Sequence, residues 1–181
     1  LQGPRIRIGD LERPIQLENG SDVVLTPETS IARAHEVPVT YELLADDLHV
    51  GDRILIDDGL LELVVVDVRK PRVTARVLHG GSLRSHKGMN FPGVAVSAPS
   101  QTQKDRADVR FTEDQELDYL ARSFVRRAED VDQLRSLLPK GVLIVAKIEK
   151  DSALENIERI LFASHALMVV GGHLGVGLPL R

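Results

Sequence analysis

Between Gly141 and Ile157 the chain reads Gly-Val-Leu-Ile-Val-Ala-Lys-Ile-Glu-Lys-Asp-Ser-Ala-Leu-Glu-Asn-Ile, and this stretch restricts the possible folds more than any other. Val142 to Ala146 is continuous, apolar and rich in β-branched residues, the pattern of a parallel strand covered on both faces. Side chains alternate along a strand, so Lys147 and Glu149 share one face at its C-terminal end. Ser152 followed by Glu155 reads as a capping box. It opens a helix with an apolar stripe of Leu154, Ile157, Ile160 and Leu161. In parallel α/β folds ligands collect at the C-terminal strand ends, so Lys147 and Glu149 are candidates for holding a phosphorylated anion and a divalent cation. Each has a plainer alternative, a surface lysine and a salt bridge to a neighbouring lysine.

The periodicity changes near residue 102. Residues 5–100 carry short alternating strands and turn signals with almost no helical period, which predicts an all-β domain. Its clearest hairpin joins 52–56 to 60–68 through Asp57-Asp58-Gly59, where glycine supplies the positive φ a tight turn needs. A further strand over 73–78 alternates Val73, Ala75 and Val77 with Thr74 and Arg76, and 41–48 reads as a short helical turn. From 101 on, helices alternate with strands: helix 103–115, strand 118–125, helix 129–138, strand 141–148, helix 152–164 and strand 166–171. That order predicts a parallel sheet or part of a β/α barrel.

Composition narrows the function classes. The net charge is −4 over 181 residues, with 3% aromatic content and no Trp, which argues against a nucleic-acid partner held by a basic, stacking surface. The chain has no cysteine, hence no disulfide framework and no thiolate chemistry. Ala166 to Leu180 is the longest apolar stretch, but His173 and its glycines leave it too short and broken to span a bilayer. His35, His49, His79 and His86 lack metal-ligand spacing and read as surface or loop residues. Asp57 and Asp58 read as turn chemistry, Lys150 and Asp151 as helix-entry solvent contacts, and 130–135 as an exposed helix face.

Lys147-Ile148-Glu149 resembles the segment of pyruvate kinases that supplies a transition-state lysine and a magnesium ligand. Leu1-Gln-Gly-Pro-Arg-Ile-Arg7, Ile54-Leu-Ile-Asp-Asp-Gly59, Lys87-Gly-Met-Asn-Phe-Pro-Gly93, Ser123-Phe-Val-Arg126 and Ala153-Leu-Glu-Asn-Ile157 resemble that family's segments in the same order. The resemblance implies an α/β fold: a partial (β/α)8 TIM barrel with an inserted small all-β barrel lid domain. Residues 1–4 would end one barrel strand, 5–100 form the lid, and 101–181 contribute about three strands of the barrel.

The implied reaction moves a phosphoryl group from phosphoenolpyruvate to ADP, giving pyruvate and ATP, with Mg²⁺ and K⁺ as cofactors. In it Lys147 is the catalytic, substrate-binding cation, Glu149 a Mg²⁺ ligand, and Gly172 a backbone donor to the substrate. Arg7 and Lys87 contact the nucleotide phosphates, and the Leu1 carbonyl helps bind K⁺. A cytoplasmic, homotetrameric enzyme with no membrane or nucleic-acid partner is the corresponding expectation. Two rivals share parts of this pattern: a Mg²⁺-dependent aldolase or lyase acting on a pyruvate-like enolate, and a non-catalytic nucleotide-binding homologue.

The chain departs from the family near its end. The family pattern there is closer to Ser-Asp followed by Ala-Arg-Gly-Asp-Leu-Gly-Val-Glu, so His165, Gly171, His173 and Gly177 each stand where a charged residue belongs. His173 occupies the position of the second Mg²⁺ carboxylate and substrate contact, and imidazole suits zinc, copper or nickel better than Mg²⁺. Each change can arise from one base, which leaves an erroneous read and a diverged homologue as the two explanations. Both ends read as cut from a longer protein. The acidic residue before Leu1, the Arg, Asn and Ser after the first barrel strand and the Thr after a later one are absent. The isolated chain is therefore expected to be inactive.

Overall fold

Period-two alternation and turn residues shape one part of the molecule, and strand–helix alternation the other. The computed structural model describes residues 1–3, 5–30, 36–98, 102–113 and 115–177, with backbone only at 113, 151, 173, 176 and 177. His35 and the last residues, 178–181, lie outside that set. The chain divides into two compact units, Arg5–Ala98 and Leu1–Pro4 with Pro99–Arg181.

The first unit contains β1 (Ile15–Leu17), β2 (Asp22–Pro27), β3 (Val37–Val39), α1 (Leu44–Asp47), β4 (Arg53–Ile56), β5 (Leu61–Arg69), β6 (Arg72–His79), β7 (Gly81–Leu83) and β8 (Met89–Asn90). Six strands form a sheet in the order β3-β2-β6-β5-β4-β8, and β1 pairs with β7 in a separate ladder. All pairs are antiparallel except β2 with β3. The β4–β5 hairpin turns through Asp57, Asp58 and Gly59 with φ of 54, 55 and 87°, and Asp57 O accepts from Leu60 N–H. Asp tolerates the left-handed region because its short polar side chain bonds locally. Val73, Ala75 and Val77 point inward beside Ile54, Ile56, Leu63 and Val65, all nearly inaccessible to water. Backbone bridges link Arg7 to Gly88 and Ile8 to Val39. No named ladder joins the six-stranded and two-stranded sheets among the described residues, so the strand pairing is that of two sheets.

The second unit contains α2 (Gln103–Glu113), β9 (Tyr119–Arg122), α3 (Ala128–Arg135), β10 (Leu143–Ile148), α4 (Asp151–Leu154), α5 (Ile157–Ala163), β11 (Ala166–Val169) and α6 (Gly171–Gly177). The strands are parallel in the order β11-β10-β9, an open segment of the sheet from which a β/α barrel is built. Leu120, Ile144, Ala146 and Ile148 are buried in one cluster with Val109, Val131, Leu134 and Ile160 from the helices. β10 is covered on one face only, contrary to the two-sided cover its apolar run predicts. Its residues alternate half-buried and buried, because three strands with their crossovers place the helices on a single side.

Four local expectations are also corrected. Ser152 does not cap a helix: α4 begins at Asp151 after an extended Lys150 and has no side-chain cap bond. The single helix over 152–164 is two, broken at Glu155 and Asn156, where Asn156 Nδ2 donates to Ser152 O at 3.2 Å and Arg126 O at 3.3 Å. Ile160 is the buried anchor of α5, whereas Leu154 and Leu161 of the predicted stripe are exposed. Asp130, read as part of an exposed face, is 1% accessible. Its Oδ2 accepts from the N–H groups of Arg126 and Arg127 and so supplies the missing acceptor at the start of α3. No described helix is long and apolar enough to cross a membrane.

Residues 1–3 are stitched to this sheet from both sides. Leu1 N donates to Ala121 O at 2.5 Å, and Leu1 O accepts from Ser123 N–H at 2.9 Å, which lays the segment beside β9. Asp105 Oδ1 accepts from the N–H groups of Gln2 and Gly3, while its Oδ2 takes the Thr102 N–H and hydroxyl. Burial pushes the Asp105 carboxyl up, but the Thr102, Gly3 and Gln2 donors together bring it below its ordinary value. A depressed carboxyl stabilises the fold above its unfolded pKa, about 3.9, and loses that contribution as pH falls through the lower folded value. Hydrogen exchange at Gln2 and Gly3 is therefore expected to accelerate only below about pH 4. Asp105→Ala is expected to expose both amides at neutral pH and to cost about 1.5–3 kcal/mol in denaturant melts.

Candidate functional site

β10 ends on Lys147, Ile148 and Glu149, and the pleat turns Ile148 into the helix-covered core and Lys147 onto the open face. Lys147 Nζ lies 2.7 Å from Glu149 Oε1 and donates to Ser123 Oγ at 2.8 Å. The lysine side chain is 25% accessible and the glutamate side chain 1%, so the cation faces outward over a buried carboxylate. Burial of Glu149 is sustained by that ion pair, since a lone carboxylate out of water would be strongly disfavoured.

Ser123 reaches the lysine because β9 and β10 run parallel in register, with Val145 opposite Ala121 and Ala146 opposite Arg122. The next residue, Phe124, has φ of 54°, a rare conformation for a bulky side chain that turns the chain sharply off the strand. Its ring lies 5.8 Å from Lys150 Nζ, within cation–π range. Below the sheet, burial pushes the Arg122 guanidinium below its usual value, while Asp130 and Asp105 draw it back up.

Lys147, Glu149 and the Leu1 carbonyl thus meet around Ser123. The Leu1 carbonyl already accepts the Ser123 N–H. Gly172 lies in α6, directly after β11, and a side chain there would meet nothing within 4 Å. His173 belongs to the same helical segment, and its ring is outside the described atoms. The glycine-rich stretch from 171 is helical and does not form a loop.

Arg7 and Lys87 lie in the other unit, beside one another: Arg7 bridges to Gly88, and Ile8 N–H donates to Lys87 O at 2.9 Å. Lys87 Nζ is paired with Asp57 Oδ1 at 2.9 Å, so the hairpin turn also holds this lysine. His49, His79 and His86 are exposed, each facing a carboxylate.

Among the described residues the donors fall short of a complete Mg²⁺ site. Among the described residues no three His, Asp or Glu side chains gather as a ligand group, and Glu149 is the one carboxylate at the tip of β10. Mg²⁺ demands near-octahedral oxygen ligands. The glycines around His173 offer no side-chain oxygen.

Sequence reading missed Ser123 as a partner of Lys147. Its available signal was position: a hydroxyl near the C-terminal end of a strand expected to neighbour the lysine strand in a parallel sheet. The same reading took His165 only as a departure from the family pattern, whereas the His165 Nδ1 accepts the Ile144 N–H at 2.9 Å and the His165 backbone N–H donates to Ile144 O at 2.9 Å. At the register of β10 with β11, a continued parallel ladder would offer Ile144 the Ser164 carbonyl. The imidazole stands in for the missing strand acceptor. His165→Ala is expected to cost about 0.5–1.5 kcal/mol and to speed hydrogen exchange at Ile144 while leaving the Val145 and Ala146 amides nearly unchanged.

The family description "pyruvate kinase, barrel domain" matches residues 1–181. The chain is 43% identical over 185 residues to a pyruvate kinase of Geobacillus stearothermophilus and 41% identical over 187 residues to pyruvate kinase 2 of a Synechocystis strain. A pyruvate kinase of Staphylococcus aureus is 40% identical over 184 residues. These matches cover 98–99% of this chain and 32% of each relative, so the chain spans about a third of their length.

Proposed function

Since the chain belongs to the pyruvate kinase family, we propose that the protein carrying it transfers a phosphoryl group from phosphoenolpyruvate to ADP. An ADP β-phosphate oxygen attacks the phosphorus as its bond to the enol oxygen breaks, and the released enolate takes up a proton to become pyruvate. The observation that carries this reading is the partly exposed Lys147 side chain, its ammonium anchored by Ser123 and Glu149 at a parallel strand end. A fixed cation of this kind stabilises charge on a phosphoryl group in transit.

Within the proposal Arg7 and Lys87 contact nucleotide phosphates and the Gly172 N–H meets the substrate. Residues 5–100 act as the lid, and 1–4 with 101–181 contribute to a (β/α)8 barrel. The bridges from Arg7 and Ile8 to Gly88 and Val39 support a barrel-like lid. Family membership implies dependence on Mg²⁺ and K⁺, with Glu149 as the proposed Mg²⁺ carboxylate and Leu1 O as the K⁺ contact. With His173 in the second carboxylate position, the set of oxygen donors in this segment is incomplete. A cytoplasmic homotetramer is part of the same proposal.

The incomplete donor set favours one second reading, a homologue that binds nucleotide through Arg7 and Lys87 without turnover. A coupled assay of ADP-dependent pyruvate formation separates the two. A full-length protein carrying this segment is expected to turn over, and Lys147→Met to lower kcat by about 10²–10³. Nucleotide binding without turnover in the full-length protein would establish the second reading instead. The 181-residue chain alone is expected to show no turnover, because an open three-stranded sheet leaves the strand-end site incomplete.

A further inference from the structure

The lysine at the tip of β10 is held by two contacts of different kinds. An ammonium carries three N–H donors. Glu149 lies against it at 2.7 Å and supplies the opposite charge, whereas Ser123 Oγ accepts a hydrogen bond at 2.8 Å and supplies direction. Among the described residues Nζ has no third protein acceptor, so one donor remains for an incoming anion. Ser123 is well placed to direct it. Its backbone is pinned by the bond from its N–H to Leu1 O at 2.9 Å, and the left-handed Phe124 follows immediately. A neutral hydroxyl also orients the ammonium without cancelling the charge that a second carboxylate would quench.

We propose that Ser123 is a positioning residue for Lys147, fixing the direction in which the ammonium presents its remaining N–H to the transferring phosphoryl group. The inference rests on the phosphoryl-transfer reading of the site. Loss of Oγ leaves Lys147 beside Glu149 but free to rotate about its last bonds. Misplacing a catalytic group by about 1 Å can cost on the order of 10²-fold in rate.

The test compares Ser123→Ala and Ser123→Thr in the full-length protein. Ser123→Ala is expected to lower kcat by about 10–100-fold with KM for both substrates within about threefold. Ser123→Thr, which retains the hydroxyl, is expected to keep most of the rate. An independent readout is the rate of amine acetylation at Lys147 at one fixed pH, followed by mass spectrometry. Without the Oγ acceptor the amine leaves its anchored position more often, so labelling is expected to be about two- to tenfold faster in Ser123→Ala but not in Ser123→Thr. Should the alanine variant fail to fold, Ser123→Cys keeps the size with a poorer acceptor and is expected to speed labelling in the same direction. An active wild type whose Ser123→Ala variant keeps both its kcat and its labelling rate would overturn the proposal. A wild type without turnover would remove the phosphoryl-transfer reading, and the labelling rate would still decide whether Ser123 holds Lys147.

Discussion

The parallel pairing of β10 with β9 on one side and β11 on the other is the constraint on which the strand-end site depends. Register places Ala146 beside Arg122 and Lys147 beside Met168. The residue after Arg122, Ser123, therefore arrives at the lysine. A slip of one residue would exchange the two faces, turning Lys147 into the helix-packed core and Ile148 onto the open face. Ile144, Ala146 and Ile148 are each fully buried against helices, so such a slip is opposed by the burial of three apolar side chains. Hydrophobic packing on one face thus sets the geometry of charge on the other.

The ends of that ladder are closed by side chains where backbone partners run out. Asp105 gathers the first residues of the chain, Asp130 accepts the free N–H groups at the start of α3, and His165 accepts the Ile144 N–H that faces the end of a helix. Each answers the same requirement, that backbone donors removed from water find an acceptor. Two of these carboxylates also compensate Arg122, whose burial opposes its charge. The same polar groups therefore serve chain termination and charge balance beneath the sheet.

The two architectures were legible in the sequence, because period-two alternation and strand–helix alternation are local signals. The Asp57-Asp58-Gly59 turn, the inward run Val73, Ala75 and Val77, and the three parallel strands all appear where the pattern puts them. The shared face of Lys147 and Glu149 follows from the pleat and is realised as a 2.7 Å ion pair. Other features escaped local reading. The broken helix at Asn156 depends on the Arg126 carbonyl, thirty residues away in sequence. Ser152 and Glu155 carry the letters of a capping box, yet α4 starts one residue earlier, so neither residue stands where such a box requires.

By itself the sequence determined the alternation of elements, the family of the chain, and the presence of a lysine and a glutamate at one strand tip. Those properties are written in spacings of two to four residues and in short motifs. Tertiary structure alone decided that Ser123 is the lysine's hydrogen-bond acceptor, that His165 replaces a strand carbonyl, and that one face of β10 stays open. These contacts join residues about twenty positions or more apart, and only the parallel register and the one-sided placement of helices bring them within hydrogen-bond distance.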